Sequence, residues 1–200
     1  MIRVQPCGDY QTNCYILKVE NKEFIVDPGL NACEWIEKTV KNPIAIINTH
    51  GHFDHVWDNQ KVKELLNIPI ICHKDDAYML ENDIFGFGMP VSKPDILIES
   101  DCAMELGGVK LDFMCFPGHT EGSMAIIYEN RFFSGDFIFR NSIGRVDLPG
   151  SDPKKMIESI KKATVLKQNY DIHPGHGNST TLDSERAGLL FWIESLEGTA

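Results

Sequence analysis

The stretch Thr49-His50-Gly51-His52-Phe53-Asp54-His55 sets three imidazoles and a carboxylate within six residues, using three of the chain's seven histidines. Imidazole nitrogens and carboxylate oxygens are the preferred ligands of zinc, iron and manganese. The spacing excludes a single helical face, because residues two apart on a helix point to different sides. A tight loop leaving a strand accommodates it, and Ile44-Ala45-Ile46-Ile47, opened by Pro43, supplies that strand. The pattern predicts a buried strand that delivers a ligand cluster to the edge of a sheet.

Upstream, the β-branched and aromatic runs 2–7, 13–19 and 23–26 are separated by turns at Gly8-Asp9 and Glu20-Asn21. Asp27-Pro28-Gly29 stops the third run, so the opening reads as a β-meander. A helix over 32–40 follows, with Ile36 and Val40 four apart. Downstream, 61–66 reads as a short helix, 68–72 as a strand and 75–80 as a helical turn. The aperiodic segment 82–94 fits a loop over the site or a plain connector equally well. Strands are expected at 96–98, 103–106, 109–116, 123–128 and 131–133. Ser151-Asp152-Pro153 is a capped helix start, with Met156, Ile157, Ile160 and Thr164 on one face. A last helix, 183–197, carries Leu189, Leu190, Ile193 and Leu196 on one side. Strands then helices, twice, with no low-complexity linker, predict an α/β fold: residues 1–200 as one domain with two facing sheets and helices outside.

The net charge of −10 and the lack of a dense Lys/Arg run argue against nucleic acid as a partner. The four lysines Lys154, Lys155, Lys161 and Lys162 read as a solvated helix face. Without a signal core in Met1–Tyr10 or an apolar run of about 18 residues, no membrane partner is expected. The six cysteines form no CxxC pair and read as reduced core residues of a cytoplasmic protein. No feature of the sequence bears on oligomeric state.

Three further candidate ligands each follow a strand-like run: His119 in Pro117-Gly118-His119-Thr120, Asp136 in Ser134-Gly135-Asp136, and His176 in Pro174-Gly175-His176-Gly177. A glycine beside each removes a Cβ and allows close backbone approach to a metal. The set His50, His52, Asp54, His55, His119, Asp136 and His176 resembles the metallo-β-lactamase superfamily over nearly the whole chain. That resemblance implies an αββα sandwich, two mixed β-sheets with helices on the outer faces, and a two-cation site at one edge. His50, His52 and His119 would hold one cation; Asp54, His55 and His176 the second; Asp136 would bridge. Zinc is the first expectation, with iron or manganese as alternatives. Asp27 matches an acidic residue of the family and would orient a ligand from behind or simply cap its turn. His173 is a candidate for a similar supporting role, and His73 is expected to be structural or at the surface.

The stretch from Gly135 to Gly150, with Gly135-Asp136, Phe139-Arg140, Gly144-Arg145-Val146-Asp147 and Pro149-Gly150, resembles a loop of single-domain glyoxalase II-like hydrolases; Asn13 and Tyr15 resemble that group too. The resemblance implies hydrolysis of a small-molecule thioester of the S-lactoylglutathione type by a hydroxide bridging the two metals, with Asp54 and Asp136 as catalytic carboxylates. Arg145 aligns with a basic position that contacts the glutathione part of the substrate. Asp147, however, stands where that family has an aromatic, and the alternative reading is that Arg145 anchors its loop by pairing with Asp147 or Asp152. With the sequence running to Ala200, no glutathione-gripping helical domain is expected. Aspartate rather than cysteine at 136, and Asp54-His55 rather than an HxExD cluster, speak against the lactamase and oxygen-reductase branches. A mononuclear-iron persulfide dioxygenase and a lactone or other ester hydrolase are the alternatives on the same scaffold.

Overall fold

Successive side chains of a strand point to opposite faces, so a strand that is apolar at every position must be covered on both. In the computed structural model, which describes residues 1–198, this requirement builds four layers; residues 199 and 200, included in the expected domain, lie outside the described residues. The antiparallel meander is β1 (Ile2–Cys7), β2 (Thr12–Val19) and β3 (Lys22–Val26). After α1 (Cys33–Thr39), β4 (Pro43–Ile47) pairs in parallel with β3. Then come α2 (Phe53–Val56), α3 (Asn59–Leu66), β5 (Ile70–His73), a 3-10 turn (Lys74–Asp76), α4 (Ala77–Glu81) and β6 (Ile96–Ile98). The first sheet runs β1-β2-β3-β4-β5-β6.

β7 (Cys102–Leu106), β8 (Val109–Cys115), β9 (Met124–Tyr128) and β10 (Arg131–Gly135) form an antiparallel run. A small hairpin, β11 (Ile138–Phe139) with β12 (Ser142–Ile143), precedes α5 (Pro153–Thr164). β13 (Asp171–Pro174) returns parallel to β10, β14 (Thr180–Thr181) closes the edge, and α6 (Leu182–Glu197) follows. The second sheet runs β14-β13-β10-β9-β8-β7. Both sheets are therefore mixed, as expected.

Neighbouring residues divide between layers. Ala45 and Ile47 join Phe24, Phe113, Ile126 and Phe133 between the sheets, whereas Ile46 joins Ile36 and Val62 beneath α1 and α3. In the other sheet Phe133 faces inward, and Phe132 packs in the layer of α5 and α6 with Met156, Ile160, Leu189 and Ile193. Asp152 caps α5 as its sequence implied, its Oδ1 accepting from the Lys154 and Lys155 N–H groups at 2.8 and 3.2 Å.

Several expectations need correction. Leu190 is 55% exposed while Leu189 is buried, because adjacent helical positions are turned by about 100°. On α5 the buried position is Ala163 rather than Thr164. Strand β5 begins at Ile70 because Pro69 has no N–H to donate. All six cysteines are free, but only Cys7, Cys14, Cys33 and Cys72 are buried; Cys102 is exposed on an edge strand. No described helix is long and apolar enough to cross a membrane.

Candidate metal centre

The parallel strands end at a common edge, and the polar loops leave from there. His50 and His52 occupy the loop after β4, as the spacing predicted, whereas Asp54 and His55 stand on the single turn of α2, closed by the His55 N–H donating to the His52 carbonyl at 2.9 Å. His119 follows β8, Asp136 follows β10 and His176 follows β13. The edges are stitched together: Met124 N–H donates to the Thr49 carbonyl at 2.9 Å, Asn13 N–H to the Gly175 carbonyl at 2.7 Å, and Gly175 N–H to the Gly135 carbonyl at 2.8 Å. The glycines serve these loop contacts. A Cβ on Gly175 would strike the Asp136 carboxylate and the His55 ring, and one on Gly135 (φ +52°) would strike the Thr49 side chain.

Outer partners fix the imidazole tautomers. His55 Nδ1–H meets the Asp27 carboxylate at 3.0 Å, His119 Nδ1–H the Arg145 carbonyl at 2.8 Å and His176 Nδ1–H the Tyr10 carbonyl at 3.0 Å. Thr49 Oγ1 donates to Asp27 Oδ2 at 2.6 Å, so it accepts from His50 Nδ1–H at 3.1 Å. Each of these bonds therefore points Nε2 of its ring inward, in His50 and His119 as a bare lone pair. Nε2 of His50, His52 and His119, and Oδ1 of Asp136, are buried with no hydrogen-bond partner. Buried acceptors facing one another without donors repel and lose their solvation, so the arrangement demands a cation. Ligand atoms of His50, His52 and His119 lie within 4.8 Å of one another, as do those of Asp54, His55 and His176. Asp136 stands between the groups, 3.5 Å from His119 Nε2, 3.4 Å from His176 Nε2 and 3.3 Å from His55 Nε2. Asp27, His50 and His55 form a third such group, but Oδ2 of Asp27 already accepts from Thr49 and His55. The donor set fits divalent metal.

Charge follows the same division. Burial, then the charge of His55, holds His50 well below the usual imidazole range, and burial with His119 pushes His52 down to about 3. Burial also opposes charge on His55 and His176, yet Asp54 and Asp136 win: His55 is raised and His176 reaches about 9. Against its own burial, Asp54 is lowered to about 2 by His55, His176 and the Thr12 hydroxyl. One half of the site is thus neutral imidazole, and the other pairs two carboxylates with positive charge.

Two supports left no sequence signal. Asp76, fully buried, accepts from Gly51 N–H at 2.8 Å, Gly122 N–H at 2.7 Å and Thr120 Oγ1 at 2.7 Å, joining the His50 loop to the His119 loop. Burial pushes its carboxyl up to about 6. Thr12 Oγ1 donates to Asp54 Oδ2 at 2.6 Å. Asn13 and Tyr15 both hold the His176 loop, donating to the Pro174 carbonyl at 3.0 and 2.7 Å.

Other placements decide between alternatives that the sequence left open, and one departs from expectation. Arg145 pairs with Asp147 through two hydrogen bonds at 2.9 and 2.8 Å, so its guanidinium is engaged and it meets His119 through its backbone carbonyl. His173 does not touch the cluster; its ring packs on Phe133 and Tyr15 between the sheets, 5.1 and 5.8 Å between centroids, because β13 turns that position inward. His73 is buried at the end of β5. The segment 82–94 does reach the site: the Phe85 ring stands edge-on to His52 at 5.5 Å, and Phe85 and Phe87 both pack on Phe53. A cavity of about 440 Å³ lies over the cluster between these rings, Tyr10, Phe139 and the Arg145 loop.

Residues 7–176 match the family model described as the metallo-beta-lactamase superfamily. A probable metallo-hydrolase of Bacillus subtilis (strain 168) is 32% identical over 199 residues, which cover 92% of this chain and 93% of that protein. Among solved structures, BLEG-1 B3 metallo-beta-lactamase superposes with a TM-score of 0.88 at 31% identity, over 96% of this chain and 99% of that one. TTHA1623, solved in a di-iron-bound form, gives 0.79 at 32% identity, over 92% and 96%. By sequence and by superposition alike, the chain belongs to the metallo-β-lactamase superfamily.

Proposed function

We propose that the protein is a binuclear metal-dependent hydrolase that cleaves a small thioester of the S-lactoylglutathione type. The observation that carries this reading is the inward convergence of the unpartnered Nε2 atoms of His50, His52 and His119 beside Asp136, with the outer Nδ1 bonds of His55, His119 and His176 already made. His50, His52 and His119 would hold one cation, Asp54, His55 and His176 the other, with Asp136 shared. Such cations, when bound, acidify a water and polarise a carbonyl oxygen. Zinc, iron and manganese all suit this donor set, and the di-iron form of TTHA1623 supports iron as a candidate. The metallo-hydrolase name of the Bacillus relative supports the reaction class.

The chain's own residues supply the rest. Asp54, kept ionised at neutral pH and fixed by Thr12, orients a water by accepting its proton in a hydrogen bond. Phe53, Phe85 and Phe87 exclude bulk water from one side of the cavity. A thiol leaving group has a pKa of about 8.5, so it departs as thiolate without a proton donor. The cavity wall accordingly needs no strong acid. A reducing compartment, the cytoplasm, suits six free cysteines.

Metal analysis alongside thioester-hydrolysis and oxygen-uptake assays tests the proposal. Two cations per chain with hydrolysis support it; one iron with persulfide-dependent oxygen uptake overturns it. Asp136→Ala should lower metal content and abolish hydrolysis, and full activity in that variant would contradict the assignment.

A further inference from the structure

Beside Asp54 lies a second cavity of about 190 Å³, bounded by Cys7, Tyr10, Leu30, Phe53, Trp57 and Phe87. Tyr10, Phe53, Asp54 and Phe87 line both this annex and the cavity over the cluster, so the two adjoin at the ligand end. The charged groups on its wall are carboxylates, Asp9 and Asp54, with no cation beside them. Among the described residues that line the cavity over the cluster, the one Arg or Lys is Arg145, whose guanidinium is paired with Asp147. An anionic acyl substituent would thus meet negative charge in the annex. An apolar group would replace water against aromatic faces, and an apolar cavity of about 150 Å³ suffices to bind benzene.

We propose that the annex is an acyl subsite that takes an uncharged, apolar acyl group of up to about phenyl size, so that the acyl range extends beyond the lactoyl kind and such thioesters are preferred over acetyl ones. This rests on the thioesterase reading for the reaction, but not for the binding. The scissile carbonyl lies over the cluster, the acyl chain runs past Asp54 into the annex, and the thiol part leaves toward the loop of Arg145. Each added methylene that enters the annex should raise kcat/KM about three- to four-fold until the space is full.

The test uses metal-loaded protein and two probes, phenylacetate and acetate, whose shared carboxylate equalises the interaction with the cations. Phenylacetate is expected to bind at least about ten-fold more tightly. It should also change the emission of Trp57, a signal absent in Trp57→Phe. Leu30 is half-buried, and Leu30→Trp should fill the annex and reduce the preference to about two-fold or less. A parallel series of acetyl, butanoyl and phenylacetyl thioesters of an uncharged thiol reads the same preference in kcat/KM. Equal affinity for the two acids, or an undiminished preference in folded Leu30→Trp, overturns the subsite. Phenylacetate preference with no hydrolysis of any thioester leaves the subsite standing and removes the thioesterase reading instead.

Discussion

Asp27→Asn tests how a ligand is oriented. Asp27 sits at φ +51°, a conformation that asparagine adopts as readily, so the backbone should be undisturbed. Oδ1 of Asp27 accepts from Thr49 N–H at 2.8 Å, a bond the amide oxygen can keep. Oδ2 accepts from both Thr49 Oγ1 and His55 Nδ1–H, at 2.6 and 3.0 Å. An amide nitrogen there would confront two donors. His55 can answer only by moving its proton to Nε2, the atom that faces Asp54, Asp136 and His176. That proton would stand where a cation belongs. Removing such a supporting carboxylate weakens metal binding by about 10–100-fold, or about 1.4–2.7 kcal/mol. The lost Thr49 bond to a charged acceptor should separately lower stability by about 1.5 kcal/mol, a fall of roughly 3–6 °C in Tm. Competition with a chromophoric chelator reads the first effect, circular dichroism the second, and nitrogen NMR of His55 reports its tautomer. Metal affinity within about two-fold of the wild type would refute the idea that Asp27 sets the tautomer of His55.

Asp76→Ala leaves the Gly51 and Gly122 N–H groups unpaired, at about 1–3 kcal/mol each, while the Thr120 hydroxyl turns to Ser123 Oγ at 2.7 Å; about 3 kcal/mol is recovered when a buried carboxylate with a pKa near 6 is removed. Net destabilisation of about 1 kcal/mol in urea unfolding, with weaker metal binding, is expected. Gly175→Ala drives a methyl into Asp136 and His55 and should cost about 1–3 kcal/mol and lower the metal content of purified protein. In metal-free protein His176 titrates at about 9, above the usual imidazole value of 6.5. Its contribution to stability is therefore full below pH 6.5 and is lost as pH rises toward 9. Urea midpoints should fall across that window, and metal affinity should rise over it as protons cease to compete.

The histidine cluster was legible because ligand chemistry is local. Thr49 to His55 carries four candidate ligands in seven residues, and its spacing limits the backbone to a loop and a turn. The apolar strands were equally legible, since Ala45, Ile46 and Ile47 must be covered on both faces whatever covers them. Asp152 before Pro153 marked the start of α5 through its own backbone N–H groups. Other assignments lay beyond local pattern. Asp76 reads as one acid of a helical turn, and only folding brings Gly51 and Gly122 to its carboxylate. Whether Arg145 met substrate or Asp147, whether His173 supported the cluster, and whether Phe85 covered it depended on where distant loops lie. The sequence alone thus determined the ligand types, the strand periods and the layered fold. Tertiary structure alone decided each ligand's partner, because the carboxylates and carbonyls that set a tautomer or anchor a loop come from segments separated by up to 166 residues, as Tyr10 is from His176.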